Sequence, residues 1–259
     1  MKTLIDLNAD AGESFGRWRL GDDENLLPLV SSVNVACGWH AGDPATMRRS
    51  VELARASGTA LGAHPGLPDL VGFGRRPIGL SPADAADACL YQYGALRGFA
   101  DAVGVPVTHV KPHGALYGLT MRDPEVAVAV ADAVRAAGPD LIVVLLAGPT
   151  ADQVADRGVR VAREAFADLE YDDDGLIIVE PDPQPKDPES CADRVVDILR
   201  GTVTTVGGRR IPVDADTVCI HGDRPNAVAI AAAVRDRLAA EGVTIAPMGE
   251  VLARRGSER

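Results

Sequence analysis

The alternation of polar and apolar side chains along short runs constrains this chain more than any other feature. Near the start, Asp6, Asn8 and Asp10 alternate with Ile5, Leu7 and Ala9. Successive residues of a strand point to opposite faces, so each set occupies one face. The pattern returns with Asn34, Ala36 and Gly38 against Val33, Val35 and Cys37. It returns again with Val107, His109 and Lys111 against Thr108 and Val110, and with Cys219, His221 and Asp223 against Val218 and Ile220. An open parallel sheet with helices on both sides reads as apolar throughout. Strands with one polar and one apolar face suit a closed barrel, its apolar face under helices and its polar face in the lumen.

Strand candidates run over 4–10, 33–37, 60–64, 107–111, 141–147, 159–162, 217–221 and 243–246. Asp43-Pro44, Ser81-Pro82, Asp123-Pro124 and Asp187-Pro188 each set a capping side chain before a proline at the first helical position, where an N–H is not needed. Gly58, Gly104, Gly138, Gly201 and Gly242 close helices. Some eight strand–helix units result, hence a parallel sheet. The expectation is one domain over residues 1–259, an irregular TIM-like barrel. TVTTVGGRRIPV (202–213) reads as an appended hairpin around Gly207-Gly208, and the Asp- and Pro-rich stretch 171–188 as a long loop.

With 259 residues, 46% of them hydrophobic, a sizeable core is available. A net charge of −11 and 4% aromatics exclude a basic stripe for nucleic acid and an aromatic platform for stacking bases. Arg75-Arg76, Arg209-Arg210 and Arg254-Arg255 are short pairs, read as solvated surface. The four cysteines, at 37, 89, 191 and 219, form no CxxC, and are expected to be reduced and buried. The opening MKTLIDLNAD turns polar too soon for a signal peptide or anchor, and no apolar run is long enough to span a bilayer. The expected location is the cytoplasm.

Polar clusters fall where the apolar runs stop: DLNADAGES (6–14), NVACGWHAGD (34–43), GAHPG (62–66), HVKPHGALY (109–117), REAFAD (163–168) and CIHGD (219–223). In a βα barrel these ends share one rim, where active sites form. All five histidines lie in these segments. His40, His64, His113 and His221 sit at strand ends, while His109 is deeper and reads as structural. Asp10 and Glu13 are candidates for general acid or base, or for holding a metal, against the plainer role of bracing a turn. Lys111 faces inward and needs a carboxylate partner, for which Asp6, Asp10 and Glu164 are candidates. It serves either an oxyanion or substrate carboxylate, or a structural ion pair.

An Asp with three His is a sensible zinc set, so Asp10, His40, His64, His113 and His221 are the metal candidates, although no spacing compels a divalent ion. His109 and His113 would stand about 13 Å apart on an extended segment, too far to share one ion. The Gly- and Pro-rich stretch 65–77 is a candidate lid carrying Arg75 and Arg76, and an arginine there can clamp a carboxylate or phosphate. There is no GxxxxGK[ST] and no strand–GxGxxG–helix unit.

Taken together, DLNADAGES, NVACGWHAGD, GAHPGLPD with GFGRR, VKPHGALY, EAFAD and CIHGD resemble the motifs of the LamB/YcsF lactam-utilisation family, that of the 5-oxoprolinase A subunits. They run in matching order from residue 6 to residue 223. The resemblance implies a seven-stranded, irregular (β/α) barrel of the glycoside hydrolase/deacetylase type. It implies ATP-dependent opening of 5-oxoproline to L-glutamate, in a complex with partner subunits B and C. ATP as co-substrate, with no phosphate loop here, fits nucleotide handling at least partly by those partners. Carried over by motif position, the site residues are Asp10, Glu13, His40, Asp43, His64, Lys111, His113, Glu164, Asp168, His221 and Asp223, joined by Asn8 on the same inward face.

Chemistry then suggests roles. Asp10 or Glu13 is the base, His113 and Lys111 stabilise an oxyanion, and His221 or His64 protonates the leaving nitrogen. Arg76 holds the substrate carboxylate, and Asn8, His40, Asp43, Glu164, Asp168 and Asp223 line the substrate. The chain departs from the family pattern at Gly118, where Asn is usual, at Leu169, where Arg is usual, and in 175–183, where another Arg is missing. Recognition of an anionic substrate is where it is expected to differ. Two alternatives follow, a stand-alone metal-dependent deacetylase or amidase and a catalytically altered lactam-binding subunit.

Overall fold

The computed structural model describes residues 1–257. Seven parallel strands close into a barrel: β1 (Leu4–Ala11), β2 (Ser32–Ala36), β3 (Ala60–His64), β4 (Val107–Val110), β5 (Ile142–Leu146), β6 (Val161–Phe166) and, after two small hairpins, β11 (Thr217–Ile220). Neighbours follow chain order, and closure comes from β11 pairing with β6 on one side and β1 on the other. The expected eighth unit is the two-residue strand β12 (Thr244–Ile245), which pairs with the start of β1 outside the closed ring. Hairpin β7 (Glu170–Tyr171) with β8 (Ile177–Ile178) gives structure to part of the expected long loop, and β9 (Thr202–Thr204) with β10 (Arg210–Pro212) is the expected appended hairpin.

The helices are α1 (Asp23–Leu26), α2 (Pro44–Ser57), α3 (Pro82–Val103), α4 (Gly114–Arg122), α5 (Pro124–Ala137), α6 (Pro149–Ala155), α7 (Pro188–Leu199), α8 (Ala227–Ala240) and α9 (Met248–Ser257). All four sequence-predicted caps form. Asp43 accepts from the N–H groups of Ala45 and Thr46, Ser81 from Asp84, Asp123 from Glu125 and Val126, and Asp187 from Ser190. Gly58 ends α2 with φ 71°, a left-handed conformation that costs a glycine nothing. Among the described residues no helix is long and apolar enough to cross a membrane.

The apolar core lies between barrel and helices. Val33, Val35, Leu61, Val110 and Val143 meet Val51, Leu96, Val130 and Val134 on one side. Leu7, Ala9, Val218 and Ile220 meet Val195, Ile230 and Val234 on the other. The lumen holds the opposite residues. At the strand starts α9 seats Met248 against Ile142, Val144 and Ala162. Above that floor the filling is polar and buried. Asn8 Nδ2 donates to Thr217 Oγ1 (2.7 Å) and Glu164 Oε1 (3.0 Å), and Asn34 Nδ2 donates to Asn8 Oδ1 (2.7 Å) and Asp10 Oδ1 (2.9 Å). His109 stands in this network with Nε2 at 3.0 Å from Asn34 Oδ1, and burial pushes its pKa down to about 3, so it is neutral. Its ring needs a glycine opposite, since a Cβ on Gly62 would lie 2.0 Å from His109 Nε2.

Asp6 is the lowest carboxylate of the lumen. It accepts from Ser31 (2.7 Å), Ser32 (2.6 Å) and the Thr217 hydroxyl, yet burial outweighs these donors and raises its pKa to about 6. A raised carboxyl favours folding while protonated and loses that advantage as pH rises through the folded-state value. Relative to an Asp6→Asn variant, which cannot titrate, the parent is expected to lose about 2 kcal/mol of unfolding free energy between pH 4 and pH 7. Urea titrations of both proteins across that range measure the difference, and one that stays flat with pH would refute the assignment.

Candidate active site

Six of the seven barrel strands, all but the apolar β5, deliver polar residues to the rim at their carboxyl ends. Asp10 comes from the end of β1 and Glu13 from the turn after it. His40 follows β2, His64 ends β3, Lys111 and His113 follow β4, Glu164 lies in β6, Asp168 follows it, and His221 follows β11. With Asn8 below them and Asp223 near Glu13, eleven of the thirteen residues expected to form the site thus converge.

Lys111 lies at the centre. Its Nζ stands 2.9 Å from Asp10 Oδ1 and 3.0 Å from Glu164 Oε1 and Cys219 Sγ. Burial opposes the ammonium, but Asp10 and Glu164 outweigh it and hold its pKa well above the ordinary lysine value. For Asp10, burial is likewise outweighed, by His64, Lys111 and His221, so its carboxyl is held well below the usual range. Burial pushes the Cys219 thiol up, so it remains a thiol and a weak acceptor. All four cysteines are free and buried.

A second group lies beside Asp10. His113 Nδ1 is 3.0 Å from His64 Nε2, His40 Nε2 is 3.4 Å from Glu13 Oε1, and His113 Nδ1 is 3.8 Å from the same oxygen. The rings of His40 and His113 stack with centroids 3.7 Å apart. Burial, reinforced by neighbouring histidines, lowers the pKa of both well below the ordinary value. Burial, with Asp223 and Asp10 nearby, raises Glu13 well above the usual range. Two sets of donor atoms fall within 4.8 Å of one another, Glu13–His40–His64–His113 and Asp10–Cys219–His221. The metal candidates chosen from sequence are thus divided between two groups, and Glu13 takes the place expected of Asp10 among the three histidines.

His221 belongs to a third pair. Its Nδ1 lies 3.0 Å from Asp168 Oδ1, and Arg224 Nε donates to Asp168 Oδ2 (3.0 Å). Although burial works the other way in both groups, the pairing lowers Asp168 to about 2 and raises His221. Arg224 also reaches Glu180 (3.2 Å). It directly follows CIHGD, and the only sequence signal for it was that adjacency.

Two residues expected at the site are engaged elsewhere. The Asp43 carboxylate accepts from Gly16, Ala45 and Thr46 as a helix cap. Arg76 points away, with 63% side-chain exposure, and is held by Asp69. Its neighbour Arg75 faces the site instead, 2.7 Å from Asp223 Oδ2 and over the ring of Phe73. The stretch 65–77 is shaped around the histidines. Phe73 adopts a left-handed backbone (φ 54°), and its carbonyl oxygen lies 2.8 Å from His113 Nε2. A Cβ on Gly66 would meet His40 Nδ1 at 2.4 Å.

Asp10, His64, Lys111, His113, Tyr117 and His221 line a cavity of about 30 Å³, space on the scale of a water or two. It shares Arg75, Gly114, Ile177 and Val179 with an adjoining groove of about 480 Å³. A larger cavity, about 650 Å³, lies at the opposite end of the barrel around Lys2, Asp214 and Arg255, which pair with one another and bring no histidine. The smaller space is therefore the candidate site.

The LamB/YcsF family model matches residues 5–253. A Syntrophobacter fumaroxidans protein, named as the A subunit of 5-oxoprolinase, is 48% identical over 248 residues, covering 94% of this chain and 98% of that one. A Methylococcus capsulatus protein of the same name is 49% identical, covering 96% and 97%. The crystal structure of a lactam utilization protein from Thermus thermophilus superposes with a TM-score of 0.85 at 47% identity, covering 95% and 99%. A family 4 carbohydrate esterase from Streptomyces lividans, at TM-score 0.51 and 13% identity over 94% and 91%, shares the fold alone. Matched along nearly its whole length in sequence and architecture, the chain belongs to the LamB/YcsF family.

Proposed function

We propose that this chain is the A subunit of an ATP-dependent 5-oxoprolinase and carries the lactam-opening site, hydrolysing 5-oxo-L-proline to L-glutamate. The observation that supports it most is the buried Lys111 ammonium, set between Asp10 and Glu164 and beside a protonatable His221, in relatives that carry the 5-oxoprolinase name. The whole chain acts as one domain in the cytoplasm, with B- and C-type partner subunits. Those partners supply ATP handling, for which this sequence has no phosphate loop.

An amide resists water because its carbonyl is a poor electrophile and its nitrogen a poor leaving group. Phosphoryl transfer from ATP to the lactam oxygen answers the first difficulty, and protonation of nitrogen the second. Asp10, held as a carboxylate, takes the proton of the attacking water. The Lys111 N–H aimed at Cys219 meets only a weak acceptor, so it is the donor free to turn to the developing oxyanion. The carbon–oxygen bond forms and the ring carbon–nitrogen bond breaks, leaving a γ-glutamyl phosphate, and a second water then releases phosphate to give L-glutamate.

The nitrogen takes its proton from His221, whose pKa the Asp168 carboxylate raises against the effect of burial. His64 does not serve, because its Nδ1 faces the Lys111 carbonyl oxygen at 2.8 Å and so carries the ring proton away from the site. His113 is unsuited to the oxyanion for the same reason, its proton being directed to the Phe73 carbonyl. Arg75, rather than Arg76, is the clamp for the substrate carboxylate.

The direct test reconstitutes the chain with candidate B and C subunits, ATP and 5-oxoproline, and measures glutamate. Formation that needs all components supports the reading, whereas amide hydrolysis by the chain alone without ATP selects the stand-alone amidase. In the active complex, Asp10→Asn is expected to lower kcat by about 10²- to 10⁴-fold with an unchanged circular dichroism spectrum; parent-like turnover removes Asp10 from the chemistry. Steady-state kinetics of two further variants separate the arginines. Arg75→Ala should raise KM for 5-oxoproline about tenfold or more, and Arg76→Ala should leave it within about twofold, consistent with the strength of a charge-assisted contact. The reverse order would return the clamp to Arg76.

A further inference from the structure

Backbone carbonyls fix the protons on two of the clustered histidines. His64 Nδ1 lies 2.8 Å from the Lys111 carbonyl oxygen, and His113 Nε2 lies 2.8 Å from the Phe73 carbonyl oxygen. A carbonyl oxygen only accepts, so each of these ring nitrogens carries its hydrogen. With both rings neutral, the remaining nitrogens, His64 Nε2 and His113 Nδ1, are lone pairs, and they face each other at 3.0 Å. Neither can donate to the other. Two buried lone pairs at that distance repel unless something positive lies between or beside them.

Two further groups share the predicament. His40 is fully buried, and neither of its ring nitrogens has a hydrogen-bond partner. Its Nε2 lies 3.4 Å from Glu13 Oε1. Glu13 is itself buried, and its ion-pair contacts among the described residues are to His40 and His113. By contrast, four carboxylates of the rim and lumen each have a lysine or arginine: Asp10 and Glu164 have Lys111, Asp168 has Arg224, and Asp223 has Arg75. The cluster is one carboxyl group and three ring nitrogens within 4.8 Å of one another, with no lysine or arginine paired to it among the described residues.

We infer that Glu13 Oε1, His40 Nε2, His64 Nε2 and His113 Nδ1 form a four-ligand site for a zinc-class divalent transition metal. Four ligands about 2.0–2.2 Å from one ion in a tetrahedron stand about 3.4 Å from each other. Three of the six separations, 3.0, 3.4 and 3.8 Å, bracket that value, and all six lie within 4.8 Å. Three imidazoles and one carboxylate suit zinc, cobalt or nickel, and suit magnesium or calcium poorly, since those ions prefer oxygen. The carbonyls of Lys111 and Phe73 supply the outer hydrogen bonds that orient metal-bound histidines.

Gly66 and Gly74 leave the room that the His40 ring occupies, for a Cβ on Gly74 would lie 2.7 Å from His40 Cβ. When bound, such an ion supplies a Lewis acid and a water of lowered pKa. Asp10 Oδ2, 3.4 Å from His64 Nε2, borders the site on the side of Lys111 and can hold a proton there. The inference is independent of the lactam reading, because metal uptake is a property of the chain alone.

The full chain, stripped with a chelator and dialysed, is titrated with zinc by calorimetry and with cobalt by visible absorption. One ion per chain is expected, with the intense visible bands of tetrahedral cobalt. Glu13→Gln keeps the shape and should weaken zinc about tenfold or more, and His40→Ala and His113→Ala about 100-fold or more, with thermal melts showing each folded. Arg76→Ala should bind as the parent does. Absence of stoichiometric uptake of zinc, cobalt or nickel overturns the proposal, as does parent-like binding by Glu13→Gln together with His40→Ala. A cobalt–thiolate charge-transfer band lost in Cys219→Ser would also overturn it, by placing the ion at Asp10–Cys219–His221.

Discussion

The ion cluster at Lys111 is the interaction on which the rest of the structure depends. Moving an ammonium out of water costs several kcal/mol, and attraction to carboxylates offsets that only when the geometry is good and the remaining polar atoms are satisfied. Here Nζ follows β4 and reaches Asp10 on β1 and Glu164 on β6, so one cation ties together strands from across the ring. Asn8 and Asn34 donate to the same Glu164 and Asp10 oxygens that Lys111 contacts, while Glu164 Oε2 has no hydrogen-bond partner among the described residues. Removing any one of these groups would strand a buried charge or donor. The polar lumen therefore holds together as a unit, and the apolar core has only to supply the outer layer. That division also places the chemistry, because the cations and carboxylates that brace the barrel are the groups a reacting amide would meet.

Period-two alternation made most of this architecture legible. Once Asp6, Asn8 and Asp10 share a face, the inward direction of β1 is set, and a shift of one residue would place Leu7 and Ala9 in the lumen. The Asp-Pro and Ser-Pro pairs located helix starts for an equally local reason. Less legible was anything decided by one residue of loop geometry. Arg75 and Arg76 are adjacent and chemically identical, and only the left-handed turn at Phe73 and Gly74 decides which one faces the site. Asp43 looked like a site residue because it ends a motif, yet its capping role, also visible in Asp43-Pro44, uses its whole carboxylate. β12 carried an apolar pattern like the others, but too short a run to enter the ring.

The histidines show the same limit in sharper form. Their convergence followed from strand ends meeting on one rim, whatever the exact loops. Their chemistry depends on which ring nitrogen holds the proton, and that is dictated by the carbonyls of Lys111 and Phe73, neither of which announces itself in sequence. The same carbonyls separate roles that residue type alone left open. His64 Nδ1 and His113 Nε2 face carbonyl oxygens, while His221 Nδ1 faces the Asp168 carboxylate. On the proposed reading, these outer hydrogen bonds divide acid and ligand roles among residues of one type.

The departures from the family pattern can be weighed against this arrangement. Leu169 is buried in the apolar core, where its carbonyl oxygen accepts from Arg194, and Arg194 in turn pairs with Glu170. At Gly118 a Cβ would press on the Arg122 guanidinium at 3.1 Å, so that arginine lies over a position where a side chain is usual. The rim has consequently not been emptied of cations. Arg75 and Arg224 bind Asp223, Asp168 and Glu180, and Glu180 belongs to the altered stretch itself. What has changed is the groove beside the cavity, lined by Arg75, Gly118, Arg122, Ile177 and Val179. Differences there bear on how an anionic substrate enters and is gripped, while the lysine–carboxylate centre that would open its ring stands apart from them.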